Sequence, residues 1–165
     1  MKNINPNYTT ASEITKLREQ FEQAQPYKHL VLDDFLNKDI AQALYEQFPS
    51  IDKLNKHYKG LNENKSEGAN FSDFHPAFSE IKQEITSEEF ARWVSAVTGI
   101  ENAFVTDDKL GTGLHQGSNG SFLDVHIDFN IHAEKMSTAG SICLFILIKI
   151  GSRNTGATWK CGMPG

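Results

Sequence analysis

The sequence predicts an α+β domain with its helices ahead of its strands, and three observations predict it. Apolar residues recur at helical spacing behind capping residues, as in Ile14, Leu17 and Phe21 or Phe90, Trp93, Val94 and Val97. Ser121 to Asn130, SFLDVHIDFN, instead alternates strictly between polar and apolar residues, which is the period of a strand. Ile142 to Ile150, ICLFILIKI, is apolar, too short to span a membrane and interrupted by Lys149, so it reads as a buried strand or an apolar patch. The chain has 165 residues, 39% of them hydrophobic, enough for one domain around one core.

Taken in order, Thr10 and Glu13 have the spacing of a capping box ahead of the Ile14, Leu17, Phe21 stripe, and Pro26 ends that helix. His29 to Phe35 is short and apolar, the signature of a strand. Asn37 or Asp39 then caps a helix carrying Ile40, Leu44 and Phe48, which Pro49 stops. Ile51 to Asp73 is rich in Asn, Lys, Glu, Gly and Ser with poor periodicity, so a loop is expected there, either a lid or a plain connector. His57, Tyr58 and His75 fall in or near it and receive no chemical role. Phe78, Ile81 and Ile85 mark a short helix. Thr86 with Glu89 predicts a second capping box before Phe90, and Gly99 suits the left-handed position that closes the helix. A strand over Ala103 to Val105 and a Gly-rich loop over Asp107 to Gly120 follow. The glycines of that loop match neither dinucleotide nor phosphate-loop spacing.

In SFLDVHIDFN the residues Asp124, His126, Asp128 and Asn130 share one face, and Leu123, Val125, Ile127 and Phe129 the other. His126 and Asp128 therefore stand about 6.6 Å apart along the strand, near enough to converge on one ion. Two histidines and one carboxylate on one octahedral face form the donor set of non-haem iron(II) oxygenases. A bare His-x-Asp pair is far more often a hydrogen-bonded strand histidine beside a solvated carboxylate. The surrounding residues give it meaning.

Gly113-Leu114-His115-Gln116, a Gly/Ser/Asn turn and then FLDVHIDFN with His132 resemble the prolyl 4-hydroxylase-like branch of the Fe(II)/2-oxoglutarate oxygenase superfamily. Pro26 to Pro49 is similar to that family's entry strand and first long helix, and WVSAVTGI at 93–100 to its helix ending in a Thr-Gly-Ile turn. The resemblance spans roughly Pro26 to Lys135. It implies a double-stranded β-helix, or jelly roll, with N-terminal flanking helices. It also implies Fe(II) held by His126 and Asp128, 2-oxoglutarate as co-substrate and ascorbate as an accessory reductant. His115 is similar to a position lining the family's site and is the one candidate for cofactor contact, although an ordinary loop histidine accounts for it equally well. The implied reaction is hydroxylation of a protein prolyl residue or of a small molecule.

After Lys135 the likeness stops, where the family continues with an Arg-Arg-Leu-Asn-Leu strand, a Gly-Gly turn and a Leu-Glu-x-Trp strand. The chain instead reads MSTAGSICLFILIKIGSRNTGATWKCGMPG. Codons that encode this tail, read from the third base of each, can spell EYRRLNLLIYLNKNWEPEYGGHLEMWDA, which carries those family features in order and at normal spacing. Residues 1–135 are therefore expected to be the N-terminal part of an oxygenase domain, and residues 136–165 an out-of-frame tail.

The chain has no histidine after His132. The family's second metal histidine and the basic residue for the distal carboxylate of 2-oxoglutarate thus have no counterpart here, and the oxygenase as written is expected to be truncated and inactive. His132 lies six residues from His126, about 20 Å along an extended strand, too far to complete the site. Two alternatives stand beside this reading: a non-catalytic fragment, and a metal-binding cupin-like module in which His126 and Asp128 hold a metal without redox work. The net charge of −5 and the lack of a basic aromatic patch exclude a general nucleic-acid binder. Cys143 and Cys161 carry no disulfide or zinc motif. MKNINPNYTT has no apolar signal core, so a cytoplasmic protein without membrane contact is expected.

Overall fold

The computed structural model describes residues 1–101, 103 and 113–124, and the backbone of strands at 131–132, 137–138, 142–150 and 154–162. Helices and antiparallel strands are both present, as the α+β reading requires. There are four α-helices among the described residues, α1 (Ala11–Gln23), α2 (Lys38–Glu46), α3 (Pro76–Ile85) and α4 (Glu88–Thr98), with α1 packed on α4, α4 on α3 and α3 on α2.

Local chemistry sets most helix ends. Thr10 Oγ1 accepts from the Glu13 N–H at the start of α1, as the capping box predicts. Asn37 is the N-cap of α2, but its side-chain amide donates to the Lys2 carbonyl at 2.7 Å rather than closing the helix turn. Helix α2 ends at Glu46, so Phe48 lies past it and packs edge-on against Phe78 with ring centroids 5.8 Å apart. The second predicted capping box is displaced by one residue. Ser87, not Thr86, caps α4 by accepting from the Phe90 N–H at 3.2 Å, while the Thr86 hydroxyl donates back to the Lys82 carbonyl and closes α3. Gly99 takes the left-handed conformation at φ 75°, as its position predicts.

One core joins these pieces. Phe21, Phe35, Phe78, Phe90 and Val97 are almost completely buried, and an aromatic chain runs Tyr8–Phe35–Trp93–Phe90 with centroid separations of 5.5, 5.2 and 5.7 Å. Trp93 satisfies its buried indole N–H by donating to the Tyr8 carbonyl at 2.8 Å. The N-terminal segment is stitched to the rest by backbone bonds. Asn5 N–H donates to the Phe35 carbonyl and Asn37 N–H to the Asn3 carbonyl, each at 2.8 Å, around the Ile4–Leu36 bridge.

The strands form three antiparallel groups. In the first, β1 (His29–Leu32) pairs with the strand at Asn154–Gly162, which pairs in turn with the strand at Ile142–Ile150; helix α2 lies against the last two. Strand β1 is shorter than the predicted 29–35 because the chain turns at Asp34, where φ is 51°. The run 142–150 is thus a strand, and Asn154–Gly162 is one too, although Gly151 to Gly165 shows no strand pattern in sequence. In the second group, β2 (Lys56–Lys59) pairs with β3 (Glu63–Gly68), and the other edge of β3 takes β4 (Leu114–Gln116) and then β5 (Phe122–Leu123). The third is a two-stranded pair, Ile131–His132 with Ser137–Thr138.

The second group corrects the expectation of a loop over Ile51 to Asp73. That stretch contains a hairpin, β2 and β3 around Gly60–Asn62, flanked by short 3-10 turns at Ile51–Lys53 and Phe71–Asp73. The sequence hides it because KHYK and ENKSEG are polar at nearly every position and leave no apolar face to reveal a period of two. The expected Gly-rich loop over Asp107 to Gly120 is likewise interrupted by β4, which pairs with β3 from Ser66 to Gly68. The predicted strand at Ala103 to Val105 falls largely outside the described residues.

Candidate functional site

Strands β3, β4 and β5 carry the chain into the predicted metal strand. Strand β4 runs antiparallel to β3, the turn at 117–121 bulges out opposite Lys65, and β5 rejoins β3 at Asn64 and Glu63. The turn is closed by Ser121 N–H donating to the Ser118 carbonyl at 2.9 Å, with Gly120 at φ 83°. Asp124 N–H then donates to the Asn62 carbonyl at 2.9 Å, which pins the start of the next segment to the hairpin loop. His126 and Asp128 lie beyond that point, outside the described residues. His132 belongs to the Ile131–His132 strand, where it pairs with Ser137.

His115 is described. It sits on β4, is exposed, and stands directly opposite Glu67. Register places Lys56, Glu67 and His115 in one row across three strands, and residues opposite one another share a face. Glu67 is buried at 8% exposure, and its Oε1 lies 3.4 Å from Lys56 Nζ, so the carboxylate is partnered where it loses water. The neighbouring row on the other face holds His57, Ser66 and Gln116. His57 Nδ1 and Ser66 Oγ are 2.9 Å apart, and Gln116 Oε1 is buried with no hydrogen-bond partner among the described residues.

These two rows contain chemistry that the sequence reading did not assign. His57 and Ser66 are nine residues apart and meet only because the hairpin folds at Gly60–Asn62. The one local signal was the Gly60-Leu61-Asn62 turn between two short polar runs. His75 also has a structural duty, since its Nδ1 accepts from the Ala77 N–H at the start of α3. Beside the hairpin, a cleft of about 400 Å³ opens between β2, β3 and the 117–121 turn, lined by residues that include His57, Lys59, Lys65, Ser66, Ser118 and Ser121.

Among the described residues no three His, Cys, Asp or Glu side chains gather as a metal site, and no helix is long and apolar enough to cross a membrane. His126 and Asp128 themselves offer one imidazole nitrogen and one carboxylate, a donor set suited to iron but one ligand short of a facial triad. No protein-family model matches this chain, and no curated protein matches it either.

Proposed function

We propose that residues 1–135 are the N-terminal part of a prolyl 4-hydroxylase-like Fe(II)/2-oxoglutarate dioxygenase, and that residues 136–165 are read out of frame. The observation that carries this reading is the ordered series GLHQ, FLDVHIDFN and His132, followed by a tail for which permitted codons, read from the third base of each, can spell the family pattern. The arrangement of β4, the 117–121 turn and β5 against β3 supports it, because it delivers the chain as an extended strand to Asp124, two residues before His126. The parent architecture in this reading is a double-stranded β-helix of which this chain encodes the first half.

In the complete enzyme His126 and Asp128 would hold the iron together with a histidine that this chain does not contain. Iron, 2-oxoglutarate and O2, when bound, would supply the oxidative chemistry: 2-oxoglutarate loses CO2 and takes one oxygen atom to become succinate, and the other oxygen atom enters a C–H bond as a hydroxyl. The contribution of this chain is to fix two ligands on one strand face and to set His115 on the adjoining β4. The acceptor is a protein prolyl residue or a small molecule, since fold and donor set do not select between them.

Two measurements test the reading. Resequencing the gene across the codons for 130–165 and past the stop is expected to reveal a one- or two-base correction that restores RRLNLL and a downstream His and Arg. An unchanged sequence would overturn the frame argument. With the corrected gene product, Fe(II)-dependent release of succinate from 2-oxoglutarate is expected, and His126→Ala should abolish it. The 165-residue chain should show no turnover. Iron affinity identical in wild type and His126→Ala would remove His126 from the metal site, and metal binding without oxygen consumption in the corrected protein would favour the cupin-like alternative.

A further inference from the structure

We propose that Asn119, in the 117–121 turn, is a modification site that deamidates without an enzyme, converting to aspartate and isoaspartate through a succinimide closed on the Gly120 nitrogen. This assignment is independent of the iron reading, because it uses neither His126 nor Asp128.

The first argument is chemical. The Gly120 backbone nitrogen, on giving its proton to hydroxide, attacks the side-chain carbonyl carbon of Asn119; a C–N bond closes a five-membered ring and the side-chain nitrogen leaves as ammonia. Water then opens the succinimide. Cleavage at the side-chain carbonyl gives aspartate, and cleavage at the main-chain carbonyl gives isoaspartate. The net change is amide and water to carboxylate and ammonium, with no oxidant or reductant. A side chain on the following residue obstructs the attack, and glycine has none. Asn119 is the one asparagine of the chain that precedes a glycine.

The second argument is that the fold leaves both reacting groups free. Asn119 and Gly120 are exposed, and neither the Asn119 amide nor the Gly120 N–H has a hydrogen-bond partner among the described residues. The turn is held instead by the Ser121 N–H on the Ser118 carbonyl at 2.9 Å and by Asn64 Nδ2 on the Gly120 carbonyl at 3.4 Å, which engage neither the attacking nitrogen nor the carbon it attacks. A Cβ placed on Gly120 would meet nothing within 4 Å, so the peptide joining the two residues has space to rotate toward the side chain. Other asparagines are tied: Asn3 donates to Glu80, Asn37 to the Lys2 carbonyl and Asn70 to Asp73. Isoaspartate routes the main chain through Cβ and lengthens the turn by one bond. That change draws the Ser121 N–H off the Ser118 carbonyl and loosens the join of β5 to β3 at Asn64 and Glu63.

The test is to incubate the folded 165-residue chain in heavy-oxygen water, digest it in acid and follow the peptide spanning 117–124 by mass spectrometry. It is expected to lose ammonia, to take up one heavy oxygen and to split into two separable products, faster in mildly alkaline than in neutral buffer. Peptides carrying Asn37 and Asn70 should stay unchanged, and Asn119→Gln should show no conversion. The same measurement in guanidinium chloride gives the rate for the unfolded chain. Folding is expected to slow conversion by less than about tenfold, equivalent to about 1.4 kcal/mol of barrier. A larger protection, or conversion spread equally over other asparagines, would overturn the site. Amide exchange of Ser121 should quicken in the isoaspartate form, and unchanged protection there would overturn the loosening of the turn.

Discussion

Gly99 shows how one residue can be required by backbone geometry alone. Its φ of 75° closes α4, and a Cβ there would meet the Arg18 guanidinium, the movable end of a flexible side chain. The cost of Gly99→Ala therefore lies in the left-handed backbone, about 1 to 2 kcal/mol, and not in the contact. A lowered urea midpoint is expected, and adding Arg18→Ala should not restore it. Residues whose duty is met within one turn of chain were legible in sequence: Thr10 caps α1 through Glu13, three positions on, and Gly99 closes α4 locally. Asn37 was legible as a cap by type, but its side chain bonds Lys2 across 35 positions of chain, which no local pattern encodes.

At the scale of elements, the boundary between α3 and α4 turns on two adjacent hydroxyls. Ser87→Ala removes the acceptor for the Phe90 N–H and is expected to cost about 1 kcal/mol. Thr86→Ala removes only bonds back to the Lys82 and Gln83 carbonyls and should leave the thermal midpoint nearly unchanged. The reverse order would restore the capping box at Thr86. All four helices were visible beforehand because each buries a stripe at 3.6 spacing, such as Phe90, Trp93, Val94 and Val97 on α4. The β2–β3 hairpin was not, because its strands are held by backbone pairing and by polar rows such as Lys56–Glu67 rather than by an apolar face. That omission also concealed the His57–Ser66 pair and the cleft beside it.

Across the whole molecule, exposed carboxylates such as Glu80, which ties the N-terminal segment to α3, contribute a modest part of the response to acid. A hydrogen bond from Lys2, then one from Asn3, holds the Glu80 carboxyl below its ordinary value near 4.5, and the Arg18 hydrogen bond does the same for Glu22. A carboxyl depressed in the folded state stabilises the fold above its unfolded value and loses that contribution as pH falls through the folded one. The urea midpoint should therefore hold from pH 7 to about 5 and fall below about 4.5, with a shallower fall in Glu80→Gln/Glu22→Gln and at high salt. The sequence by itself determined the helical stripes, the α+β class and the polar–apolar alternation over residues 121–130, because each is a short-range periodicity. Tertiary structure alone decided that Ile4 seals against Leu36, that β3 lies between β2 and the β4–β5 edge, and that His57 meets Ser66 beside the 117–121 turn. Those contacts join residues with no shared period, so only the folding of the chain back on itself could specify them.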